Sequence, residues 1–164
     1  MNQADVNVMT QEQFIDVFGG IFEHSAWVAE ATWEKRPFTS KKELHNAMME
    51  VVRTSSEDHI IRLFRAHPDL ATRIRIGEYS TKEQQGVGLD RLSEGEFEQF
   101  AKLNQAYTDK FKFPFILAVK GKGKADILKA MQERIHHSLE REATQAMQEI
   151  GKITGYRLDE LIIE

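Results

Sequence analysis

The chain has no cysteine and no long apolar run, and each shortage removes a class of explanation. Without cysteine there is no disulfide framework, no thiolate nucleophile and no Cys-rich zinc site, so papain-like chemistry is excluded and a reducing cytoplasm is compatible. No window approaches the roughly 20 apolar residues that span a bilayer. Met1-Asn2-Gln3-Ala4-Asp5 lacks the positive start and apolar stretch of a signal peptide. Positive charge is not in excess either: a net charge of −4 argues against a general nucleic-acid binder, because duplex affinity rests on lysine and arginine neutralising phosphates. The last residues, Leu161-Ile162-Ile163-Glu164, are not the Ser-Lys-Leu peroxisomal address. The expectation is a soluble, cytoplasmic protein with neither nucleic acid nor membrane as partner.

What is present is helical periodicity. The 164 residues suit one domain, 1–164, large enough to bury roughly 70% of the surface its unfolded chain exposes. Thr10-Gln11-Glu12-Gln13 reads as a capping box opening a short helix with Phe14, Val17, Phe18 and Ile21 at helical spacing. Ser25 to Arg36 is a second helix, stopped by Pro37. Ser40-Lys41-Lys42-Glu43 is another capping box, and Leu44, Ala47, Met48, Val51 and Val52 then mark a single apolar face. A helix burying Ile60, Ile61, Leu63 and Phe64 ends before His67-Pro68, and a short turn of helix covers Asp69 to Ile74.

Ser93-Glu94-Gly95-Glu96 opens a further helix with Phe97, Phe100, Ala101, Tyr107 and Phe111 on one face. From Lys124 one stripe continues through Ile127, Leu128, Met131, Ile135, Leu139, Ala143, Ala146, Ile150 and Ile153. Phe113 to Val119 is a continuous apolar run that periodicity cannot class; a lone strand would have no sheet to join, so it reads as buried loop running into helix. The expected architecture is all-α, a single-domain bundle of about eight helices.

Chemistry concentrates at His67-Pro68-Asp69-Leu70-Ala71 and the following Ser80-Thr81-Lys82-Glu83-Gln84. Proline disfavours helical geometry at the residue before it, so His67 sits at a helix break where an imidazole can face a cavity. Histidine both donates and accepts protons near neutrality. Each motif also has a purely structural reading. A histidine before proline can be only a helix stop, and Ser-x-x-Glu is also a capping box. A helix N-terminus there would favour an anionic ligand through its free N–H groups. Lys120-Gly121-Lys122-Gly123-Lys124 lacks the phosphate-loop pattern and reads as a solvated turn. His24, His45 and His59 fit no zincin spacing, and His136 and His137, as sequence neighbours, do not share a helix face. No metal is expected. Trp27 and Trp33 read as core or subunit interface.

Together with Lys110-Phe111-Lys112-Phe113-Pro114-Phe115 and Val119-Lys120-Gly121, these motifs resemble the 2-oxo-4-hydroxy-4-carboxy-5-ureidoimidazoline (OHCU) decarboxylase family, over about Phe18 to Leu161. The resemblance implies the helical fold of that family and a cofactor-independent decarboxylation of OHCU to (S)-allantoin in urate breakdown. It implies His67 and Glu83 as catalytic residues. Pro68, Ser80, Gln84, Phe115, Ile116, Leu117, Ala118, Val119 and Arg157 are implied in substrate binding, the 115–119 stretch through its backbone. Arg157 by itself is a charged residue near a helix end, though a guanidinium suits carboxylate and carbonyl oxygens. The resemblance further implies a homodimer and functional coupling to a 5-hydroxyisourate hydrolase. The rival readings are a non-enzymatic helical interaction module, a helix-turn-helix regulator, disfavoured by the acidic balance, and a same-fold enzyme acting on a related ureido acid.

Overall fold

The computed structural model describes residues 1–67 and 93–163, and in them every regular element is helical. The eight helices among the described residues are α1 (Gln3–Asn7), α2 (Gln11–Phe18), α3 (Trp27–Trp33), α4 (Lys41–Arg53), α5 (Glu57–Ala66), α6 (Glu94–Phe111), α7 (Lys124–Arg134) and α8 (Leu139–Leu161). The expected turn of helix over Asp69 to Ile74 lies outside the described residues. The chain divides into two compact units, Met1–Ala66 with Ile150–Glu164, and His67–Glu149.

In the first unit the caps largely follow the sequence. Thr10 Oγ1 accepts the Gln13 N–H while Gln13 returns a bond from its side chain, the full capping box that starts α2. At α4 only half of the expected box forms. Ser40 Oγ accepts the Glu43 N–H at 3.1 Å, but the Glu43 carboxylate turns to the N–H and hydroxyl of Thr39. Thr39 offers two donors to one oxygen where the Ser40 backbone would offer one. Those bonds hold the exposed Glu43 carboxyl below its usual range.

The apolar face of α4 is buried at Leu44, Met48, Val51 and Val52. Met49, off that face, is buried as well, beside Gly151 of α8. The second helix is shorter than expected, with α3 confined to Trp27–Trp33. In α5, Leu63 and Phe64 are buried but Ile60 and Ile61 only partly so. Trp27 and Trp33 are half-buried; the Trp33 indole N–H donates to the Met9 carbonyl, and Trp27 packs on His59 with centroids 5.1 Å apart.

In the second unit Ser93 and Glu96 form a complete capping box, and Phe100, Asn104, Tyr107 and Phe111 make the buried face of α6. Phe97 and Ala101, expected on that face, are only partly buried. Residues 114–119 carry no regular structure and are buried except at Leu117, so the expected buried loop is what the chain forms.

The C-terminal stripe needs two corrections. It is not one continuous helix: α7 ends at Arg134, and Ser138 caps a new helix by accepting the Arg141 N–H. Lys110 of α6 holds the break open by donating to the carbonyls of Ile135 and His137 at 2.6 and 3.1 Å. The buried side of α8 is also rotated from the expected one. It runs through Glu142, Ala146, Glu149, Ile150, Thr154 and Leu158, while Leu139 is 60% exposed. The inward polar residues are hydrogen-bonded, which is what allows them to lie there.

Candidate active site

His67 follows the last residue of α5 directly, as the proline after it requires, and is 5% exposed. It belongs to the second unit, as do Phe115 to Val119; Arg157 belongs to the first. Pro68, Ser80, Glu83 and Gln84 lie outside the described residues.

Phe115 to Val119 poses a bookkeeping problem, because buried backbone without helix or sheet must find other partners for its N–H and C=O groups. Charged side chains supply two. Arg134 Nη1 donates to the Ile116 carbonyl at 2.7 Å, and the Ala118 N–H donates to Glu149 Oε1 at 3.1 Å. The Val119 carbonyl accepts the Lys122 N–H in the turn that follows.

Each clamp is itself fixed. Arg134 is 5% exposed and donates from Nε to Glu142 Oε1 at 2.8 Å, and its guanidinium carbon lies 4.4 Å from the Phe115 ring centroid. The Tyr107 hydroxyl donates to the same carboxylate oxygen at 2.6 Å, and His137 Nδ1 lies 2.9 Å from the other. Burial first, and then the bond to Glu142, push the Tyr107 phenol far above its ordinary range, so it stays a neutral donor. Gln145 donates to Glu149 Oε2 at 3.0 Å. Phe113 and Phe115, two residues apart, both set their rings edge-on to Tyr107, at 5.9 and 5.2 Å between centroids.

Arg157 is more than a charged residue near a helix end. Its Nη1 donates to the Ile21 carbonyl at 2.8 Å and its Nη2 to Glu23 Oε1 at 2.5 Å, bracing the loop after α2. His24 in that loop adopts a left-handed φ of 46°, a region costly for a residue with a Cβ. Each terminal nitrogen of a guanidinium carries a second N–H, so these bonds leave donors for a ligand.

Lys120 to Lys124 forms the expected turn. Gly121 takes a φ of 79°, and the Gly123 N–H donates to Asp126 Oδ2 at 2.9 Å, so a carboxylate of the chain occupies the start of α7 where a phosphate would bind. Among the described residues no three His, Asp or Glu side chains group as a metal site would require. A groove of about 640 Å³ in the first unit, lined by Trp27, Val51, Ser55 and His59 among others, contains none of the expected site residues.

The residues that sequence reasoning missed are Arg134, Glu142 and Glu149. A signal existed. Arg134 continues the spacing of buried Ile127 and Met131, and Glu142 and Glu149 flank buried Ala146 at helical intervals.

The family model for OHCU decarboxylase matches residues 7–159. The uric acid degradation bifunctional protein of Bacillus sp. (strain TB-90) is 40% identical over 164 residues, covering 100% of this chain and 33% of its own length. The chain thus corresponds to a third of that relative. The 2-oxo-4-hydroxy-4-carboxy-5-ureidoimidazoline decarboxylase of Halalkalicoccus jeotgali is 42% identical over 159 residues, 97% of this chain and 90% of that one. The crystal structure of an (S)-allantoin synthase superposes with a TM-score of 0.84 at 33% identity, over 99% of this chain and 54% of the other. The family model over residues 7–159 and these relatives agree, and the chain belongs to the OHCU decarboxylase family.

Proposed function

We propose that this protein is a carboxy-lyase that converts OHCU to (S)-allantoin without a cofactor, in the breakdown of urate. Family membership over residues 7–159 carries the reading. The substrate has a hydroxyl and a carboxylate on one ring carbon, beside a carbon doubly bonded to nitrogen. When the carboxylate leaves as carbon dioxide, the electron pair of the broken bond forms a carbon–carbon double bond, and the C=N pair moves to nitrogen, which takes a proton. The hydroxyl proton then departs as the carbonyl forms, and a proton arrives at the neighbouring carbon. The substrate is its own electron sink.

His67 takes the role of managing the hydroxyl proton and delivering one to the new stereocentre; delivery from one face gives the (S) product. Glu83 holds the hydroxyl or the imidazole in position. Ser80, Gln84 and Arg157 hold the polar groups of the substrate, and Pro68 lies beside it. The wall from Phe115 to Val119 contacts the ring through backbone groups and leaves the reacting carboxylate less well hydrated than in water, which favours a charge-dispersed transition state. Within this reading the chain is one domain acting in the cytoplasm as a homodimer, and a 5-hydroxyisourate hydrolase supplies its unstable substrate.

The test generates OHCU in situ from urate with an oxidase and a hydrolase and follows its decay. The protein is expected to accelerate the decay, and His67→Ala to lose at least about a hundredfold of that acceleration while keeping its helical circular dichroism. Full activity in His67→Ala would overturn the assignment of His67. No acceleration by the intact protein would overturn the reaction and favour a related ureido acid as substrate or a binding role.

A further inference from the structure

We infer that Arg134 and Glu149 are positioning residues for this reaction, clamping the Ile116 carbonyl and the Ala118 N–H so that the peptide groups around Leu117 present a fixed hydrogen-bonding edge to the substrate. The inference rests on the function proposed above. Neither side chain needs to touch the substrate.

Three observations carry it. First, the clamps bracket one residue, and Leu117 is the only position of 113–119 that is not buried, so the accessible point of the wall is the point held from both sides. Second, the wall has no secondary structure of its own, and its conformation at 116 and 118 depends on side chains from α7 and α8. Third, both clamps are buried charged side chains, and without them the Ile116 carbonyl and the Ala118 N–H would lose these partners. What charge and a planar fork add is direction. Arg134 is fixed by Glu142, by the Phe115 ring and by a long contact to Tyr107, and Glu149 is held by Gln145.

The experiment compares wild type with Glu149→Leu, Glu149→Gln and Arg134→Lys, measuring KM, kcat, the enantiomeric excess of the allantoin formed and far-UV circular dichroism. Glutamine keeps an acceptor for the Ala118 N–H, whereas leucine keeps only the volume. Lysine keeps the charge and loses the fork that reaches the Ile116 carbonyl and Glu142 together. Glu149→Leu and Arg134→Lys are expected to raise KM about tenfold, the loss of one well-placed contact, and to lower the enantiomeric excess. Glu149→Gln is expected within about threefold of wild type. If Glu149→Leu does not fold, Arg134→Lys alone decides. Unchanged KM and enantiomeric excess in the folded variants, with only the active fraction reduced, would overturn the inference. An inactive wild type would instead overturn the proposed function.

Discussion

At Glu142 a carboxylate with no exposure collects Arg134, the Tyr107 hydroxyl and His137, and every one of these contacts would be uncompensated if it were removed. Deleting one partner of a buried pair strands the other charge, so Glu142→Ala is expected to cost roughly 3–5 kcal/mol in urea unfolding, whereas replacing Arg134 and Glu142 together by apolar residues should recover only part of it, because the Ile116 carbonyl and the Tyr107 hydroxyl lose their partners. A loss in the double variant equal to the sum of the two single losses would show that the charges are not coupled. These residues also mark where the sequence was hard to read. The place of His67 at the end of α5 was legible because Pro68 ends that helix for a reason written in the chain. Arg134, Glu142 and Glu149 were passed over because hydropathy assigns charge to the surface, and only their place in the spacing of buried neighbours told otherwise. The roles of Ser80, Glu83 and Gln84 rest on the resemblance, since a helix cap and a substrate contact require the same side chains.

Among the elements, caps were the most legible signals, since a Ser or Thr followed by Gln or Glu three residues later satisfies free N–H groups by local bonds alone. Thr10 and Ser93 behave this way; Ser40 does so only in part because Thr39 competes for Glu43. The break between α7 and α8 was not legible. It depends on Lys110, brought in from α6, and on the buried pair between Arg134 at the end of α7 and Glu142 in the first turn of α8. A pH signature belongs to the packing of α4 on the C-terminal half of α8. There His45 Nε2 lies 2.9 Å from Thr154 Oγ1. Burial, reinforced by Arg53, lowers the His45 pKa from 6.5, against smaller opposing effects of Asp159 and the Gly151 backbone. The unfolded chain therefore binds this proton more readily than the folded one. The stabilising contribution is complete above the ordinary imidazole range and is lost as pH falls through it. His45→Gln should flatten the fall in denaturation midpoint between about pH 7 and pH 5. An unchanged slope would place the effect in another group.

For the molecule as a whole, the all-helical architecture was legible because 3.6-residue periodicity recurs from Phe14 to Leu158, and because the one aperiodic apolar run had no second strand to pair with. The two compact units were not. α8 contributes to both, and no change of composition marks the point where one gives way to the other. Family membership was legible only through motifs in a fixed order, since helical periodicity alone is shared by enzymes and interaction modules. The central claim is therefore stereochemical. Uncatalysed breakdown of OHCU is expected to yield racemic allantoin, whereas an active site that delivers its proton from one face yields one enantiomer. The measurement is circular dichroism of allantoin formed from OHCU generated in situ, with the intact protein, with His67→Ala and with neither. Rapid appearance of (S)-allantoin with the intact protein alone is the predicted result. Slow racemic product in all three reactions would contradict the account.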